Sequence, residues 1–170
     1  MPGTNAKMNE MQALMGSLVL KYLEEIIQKR SVITDVYRQR LKEIPGIHLA
    51  PTLSPDVISN HPYMPIEVDE EQFGMSRDGL YEKLKEYNVF SRRYFYPLIC
   101  DYACYRSVSI KDPLTVARRA SERILTLPIY DGLELSDVEA ICDIITSLHL
   151  RKDGSSHREE ILSVKPMLLP

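Results

Sequence analysis

The sequence predicts an α+β domain: a long N-terminal helix followed by a small, mainly antiparallel sheet with helices packed on one side. Three observations predict it. Apolar residues recur at three- and four-residue steps near the N-terminus, short β-branched and aromatic runs bounded by proline follow, and further helix-period segments alternate with those runs.

Over 8–44, Met8, Met11, Met15, Leu18, Tyr22 and Ile26 keep helical spacing, and Ala13, Leu14, Leu20, Leu23 and Ile27 widen the stripe. The first half is apolar on most sides, so it calls for cover by more protein than one small sheet supplies. The second half carries Lys29, Arg30, Arg38, Arg40, Lys42 and Glu43 and has the character of a surface helix, which Pro45-Gly46 ends. Strands are predicted over 47–50 and 61–68, with Pro62 and Pro65 pointing to an edge position or irregular ends for the second. Ser76 is the predicted N-cap of a helix running to Tyr87, with Leu80, Leu84 and Tyr87 on one face. A third strand is predicted over 89–96, closed by Pro97. A helix over 114–123, a short extended stretch over 124–128 and a last helix opened by a capping box from Ser136 to Glu139 complete the domain. After Leu150 periodicity is lost. The expected organisation is a long helix region (1–44), a small α+β domain (45–150) and a tail (151–170), mobile or docked on a partner.

Composition bounds the function. The 170 residues are 44% hydrophobic and 26% charged, values of a globular chain. A net charge of -3 provides no cationic field, which argues against nucleic acid as the main partner. No run reaches the ~18 apolar residues of a membrane span, and no signal-peptide pattern opens the chain, so a cytoplasmic protein is expected. Three cysteines make no disulfide framework, and four scattered histidines show no metal-ligand spacing. The local signatures of hydrolases, nucleoside triphosphatases and dinucleotide enzymes are absent.

The densest chemical cluster is Ser91-Arg92-Arg93-Tyr94-Phe95-Tyr96. On a strand, Arg92, Tyr94 and Tyr96 point one way and Arg93 and Phe95 the other. Guanidinium groups fork onto phosphates and phenols bond sugar hydroxyls, so one face suits a phosphorylated sugar. An edge strand with solvated arginines and half-buried tyrosines fits the same spacing. Asn5 precedes the first helix, where free backbone N–H groups suit an anion; it, or Thr4, equally suits a helix cap.

Three motifs in order then carry a resemblance. Gly3-Thr4-Asn5-Ala6-Lys7-Met8 with Glu10 and Gln12-Ala13, next Arg92-Arg93-Tyr94-Phe95-Tyr96-Pro97-Leu98, and last Ser121 to Pro128 resemble the C-terminal part of the DegT/DnrJ/EryC1/StrS sugar aminotransferases, from Gly3 to about His149. These are pyridoxal phosphate enzymes of the fold type I architecture that move an amino group, usually from glutamate, to a keto group on a nucleotide-linked sugar, in cell-surface polysaccharide or related deoxyamino-sugar biosynthesis.

The resemblance implies that Asn5 reaches the cofactor phosphate of a partner subunit and that Arg93, Tyr94 and Tyr96 border the sugar-nucleotide site. It also implies that the apolar helix joins a large cofactor domain to a small C-terminal one and supports a homodimer or higher oligomer. Many members end the tyrosine tract in a histidine, where Ile99-Cys100 stands here. The lysine that carries the cofactor belongs to a large domain not matched within these residues, so the chain alone is expected to be inactive and not to hold pyridoxal phosphate. The competing expectation is a standalone interaction or regulatory module, or the complement of a separately encoded N-terminal half.

Overall fold

The computed structural model describes residues 7–54, 56–105 and 112–150. The tail expected over 151–170 and the predicted site residue Asn5 lie outside them. The first helix, α1, spans Glu10–Leu20 and is capped by Asn9: the Asn9 side chain accepts from Gln12 N at 2.9 Å, and Gln12 Oε1 accepts from Asn9 N at 3.0 Å. This reciprocal pair satisfies two orphan donors, so the cap of this helix is neither Thr4 nor Asn5.

The helix expected over 8–44 is interrupted. At Lys21 and Tyr22 the backbone tightens to bonds from Lys21 N to Leu18 O and Tyr22 N to Val19 O, and α2 then runs over Leu23–Leu41. No glycine or proline marks the break in LVLKYLEE, which is why periodicity alone carried the helix through it.

Gly46 makes the turn out of α2 with φ at +78°, and a Cβ there would lie 2.3 Å from Phe73 N and 2.7 Å from Phe73 Cβ. Glycine is required on both counts. The strands β1 (Ile47–Leu49), β2 (Met64–Val68) and β3 (Ile124–Leu127) form an antiparallel sheet in the order β1-β2-β3. The strand with Pro65 is therefore central, not an edge. Thr126, opposite Pro65, exchanges both backbone hydrogen bonds with Arg92 on its other side and offers none to Pro65. The missing N–H is turned toward β1, which has already ended at Leu49 opposite Ile66. No ladder bond is lost.

Between β2 and β3 lie α3 (Glu70–Phe73), capped by Asp69, α4 (Arg77–Glu86), whose cap Ser76 accepts from Gly79 N at 3.1 Å, and α5 (Thr115–Arg123), which runs directly into β3. The last helix, α6, spans Leu135–Leu150. Ser136 is its second residue, while Asp137 N and Val138 N are taken by Glu134 O, so the expected capping box does not open it.

Met64, Ile66, Val68, Leu125 and Leu127 all point to one face of the sheet and are buried against Ile33, Tyr37 and Leu41 of α2, Leu80 and Leu84 of α4, and Ile141 and Ile145 of α6. Tyr37 OH donates to Pro128 O at 3.1 Å from inside this core, and its burial holds the phenol well above its ordinary pKa. By contrast, α1 buries no residue: Met11, Leu14, Met15, Leu18 and Val19 are exposed.

Candidate substrate-binding cleft

The strand expected over 89–96 shrinks to one bridge. Arg92 N donates to Thr126 O at 2.9 Å and Thr126 N to Arg92 O at 2.8 Å, after which the chain leaves the ladder. What takes it away is α4. Arg93 Nη1 reaches Asp78 Oδ1 at 3.1 Å, its guanidinium lies 4.6 Å from the Tyr81 ring centre, and Tyr96 sits under both Arg93 (5.6 Å) and Arg77 (5.0 Å). Four contacts between side chains of opposite or complementary character thus outweigh a few edge-strand hydrogen bonds. The peptides Tyr94-Phe95 and Tyr96-Pro97 are cis.

Arg77 organises this side. It is 2% exposed, donates from Nη1 to Ile124 O at 3.0 Å, and holds Nε 2.9 Å from Asp78 Oδ1, close enough for charge attraction but not aligned as a hydrogen bond. Burial lowers its pKa, Asp78 raises it, and the neighbouring Arg93 lowers it. Asp78 is shared between two arginines.

The other side of the tract forms a cleft of about 440 Å³. Residues directly opposite in an antiparallel pair share a face, so Arg92, Thr126 and Pro65 all lie on the face away from the core. Arg92 lines the cleft with Tyr63, Phe90, Tyr94, Thr126 and Pro128. Tyr63 meets Tyr94 edge-on with ring centres 5.2 Å apart, and Phe95 stacks on Tyr94 at 5.1 Å. Arg92 Nη1 donates to Tyr94 OH at 2.6 Å, a bond that raises the arginine's pKa.

The structure therefore divides the predicted site residues. Tyr94 is in the cleft; Arg93 and Tyr96 are on the α4 side, and the expectation that Arg92, Tyr94 and Tyr96 share one face is replaced by a pairing of Tyr94 with Arg92 alone. Tyr63 was not singled out from sequence. Its position one residue before a buried strand residue, hence on the opposite face, is the signal that would have found it. Ile99-Cys100, the pair that follows the tyrosine tract, falls in the 3₁₀ turn Ile99–Asp101, tied to α5 by Arg118 Nη1 and Asp101 Oδ2 at 3.2 Å. Among the described residues no group of histidines, cysteines and carboxylates is placed to hold a metal, and no helix is long and apolar enough to cross a membrane.

The family model for DegT/DnrJ/EryC1/StrS aminotransferases matches residues 1–146. The chain belongs to this family. It is 44% identical over 154 residues to the dTDP-4-amino-4,6-dideoxy-D-glucose transaminase of Escherichia coli, covering 89% of this chain and 40% of that protein. To the transaminase of the same name from Shigella dysenteriae it is 38% identical, covering 86% of this chain and 39% of the other. Among solved structures, DesI in the presence of its TDP-sugar product superposes with a TM-score of 0.81 at 32% identity, over 89% of this chain and 38% of DesI. The chain spans about two-fifths of the length of the relatives it matches.

Whether the described residues fit pyridoxal phosphate can be judged from their lysines. None lines the cleft, and Lys29, Lys83 and Lys85 are ion-paired to carboxylates on their own helices. A lysine facing the cofactor is needed to carry it, and among the described residues the cleft presents none.

Proposed function

We propose that these residues form the C-terminal portion of a pyridoxal phosphate-dependent aminotransferase that moves an amino group from glutamate to a nucleotide-linked keto-sugar, in polysaccharide or deoxyamino-sugar biosynthesis in the cytoplasm. The observation that carries it is the agreement of fold and sequence with the E. coli transaminase and DesI over nearly the whole chain, with an arginine- and tyrosine-lined cleft on the open face of the sheet. In this reading 45–150 is the small domain, 1–44 is the interdomain helix region, and the tract containing Arg93, Tyr94 and Tyr96 borders the substrate. Asn5 contacts the cofactor phosphate of a partner subunit. The cofactor-carrying lysine lies in a large domain outside these 170 residues, and the exposed face of α1 packs on that domain and on a second subunit.

What the chain's own residues contribute is binding and orientation: Arg92 and the phenols fix the ligand by charge and hydrogen bonding, and Tyr63 and Phe90 provide apolar walls. The test is a chimera in which this chain replaces the matching C-terminal portion of the E. coli transaminase. It is expected to aminate the dTDP-linked keto-sugar with glutamate as donor, whereas the 170-residue chain alone is inactive. A chimera that folds and binds the cofactor as the parent does, yet leaves the keto-sugar unchanged, counts against the proposal.

A further inference from the structure

We propose that Arg92 and Tyr94 are the ligand-contacting pair of the tract, taking the phosphate oxygens of a nucleoside diphosphate on the open face of the sheet, and that Arg93 and Tyr96 are positioning residues that hold this pair from α4. The ligand class rests on the function proposed above; the division of roles rests on geometry.

Charge availability separates the two arginines. Arg77, Arg93, Arg118, Arg119 and Arg123 each lie between 2.9 and 3.6 Å from a carboxylate oxygen. Arg92 meets no carboxylate among the described residues; its side-chain hydrogen bond is to the Tyr94 hydroxyl at 2.6 Å. A guanidinium has five N–H donors in a rigid fork, so the Tyr94 bond orients the group and leaves the rest of the fork for an anion. It does so at the wall of a cleft of about 440 Å³ that Tyr63, Phe90 and Tyr94 line with rings, a combination suited to a phosphate joined to a flat or cyclic group.

Arg93 is spent on α4. Its charge is paired with Asp78 at 3.1 Å, and its faces are used by Tyr81 and Tyr96. Tyr96 in turn covers the buried Arg77, whose bond to Ile124 O fastens α4 to the start of β3. The backbone of Arg92 is itself fixed by the bridge to Thr126, and Tyr94 sits between Arg93, paired with Asp78, and Tyr96. Loosening Arg93 therefore displaces Tyr94, and with it the bond that orients the Arg92 fork, without removing charge from the cleft.

The test is equilibrium binding of dTDP, inorganic pyrophosphate and thymidine to the full 170-residue chain, at low and high salt. R92Q is expected to weaken dTDP and pyrophosphate about tenfold, to flatten the salt dependence of both, and to change thymidine by less than about twofold. R93Q is expected to weaken dTDP less than R92Q does and to leave the salt dependence of dTDP and pyrophosphate as in wild type, because the Arg92 charge stays in the cleft; R93K, which keeps the pair with Asp78, should restore binding. Should R92Q disturb folding, R92K carries the same test: charge is kept, the fork is lost, and dTDP binding falls to between the wild-type and R92Q values. The proposal is overturned if wild type binds none of the three probes, if R92Q binds dTDP as wild type does, or if R93Q flattens the salt dependence as R92Q does. None of these outcomes bears on whether the chimera aminates a keto-sugar, so the two proposals fail separately.

Discussion

Replacing Gly46 by alanine is the most informative single perturbation of this fold. The residue has φ at +78°, a conformation that costs an L-residue about 1–2 kcal/mol, and the added methyl would stand 2.3 Å from Phe73 N, 2.7 Å from Phe73 Cβ and 2.8 Å from Asp69 O. Two of these neighbours are backbone atoms, locked by the bond from Phe73 N to Asp69 O at 2.8 Å, so they cannot swing aside as the end of a side chain would. Relieving the overlap adds about 1–3 kcal/mol. A combined loss of about 3 kcal/mol lowers Tm by about 6–12 °C for a chain of this size. The chain has no tryptophan, so far-UV circular dichroism during urea and thermal unfolding is the assay. Gly16 is the control: a Cβ there meets nothing within 4 Å, and alanine in a helix interior gains about 0.5–1 kcal/mol of local helix stability, readable as slower amide exchange in α1. A G46A chain within about 0.5 kcal/mol of wild type would refute the reasoning.

Two further outcomes follow from titratable groups. Asp69 caps α3 by accepting from Gln72 N and Glu71 N and meets Arg123 Nη1 at 3.0 Å, and these bonds hold its carboxyl below the usual range. A depressed folded pKa means that its stabilising effect is present above the unfolded carboxyl's pKa and is lost as pH falls through the folded value; D69N should flatten the acid limb of the urea midpoint between about pH 5 and pH 2. The Cys142 thiol is buried and its pKa is pushed up to about 12, whereas Cys104 is exposed. At about pH 8 a thiol reagent should modify Cys104 at once and Cys142 only at the rate of unfolding, and C104S should remove an immediate step.

Helix and strand positions were legible where one face is buried by the chain itself. The helix face of Leu80 and Leu84 appears in the structure as read, and the strand expected over 61–68 is present over Met64–Val68, because burial enforces the period. The reading erred where a local pattern competes with a distant partner. Residues 89–96 have strand composition, yet Asp78, Tyr81 and Arg77, which draw Arg93 and Tyr96 aside, are ten or more residues away in sequence. Pro65 misled for the opposite reason: whether a proline harms a sheet depends on which side its nitrogen faces and on where the neighbouring strand ends. The cap at Asn9 was legible as Asn-x-x-Gln but was overshadowed by Thr4 and Asn5 upstream. In the site, strand alternation put Arg92 beside Tyr94, where the 2.6 Å bond joins them, but also placed Tyr96 with them, whereas Tyr96 lies with Arg93 on the α4 side.

The bare surface of α1 also bears on the strength of any assembly it enters. An 11-residue helix that buries no side chain gains nothing from tertiary packing, and helices of this length are marginal in water even with a good cap. Whatever covers Met11, Leu14, Met15 and Leu18 must then select the helical form from an ensemble, and its apparent dissociation constant is the intrinsic one divided by the helical fraction. Affinity for that cover can therefore be tuned at Gly16 or Asn9 through helix population, with no change to the contact surface.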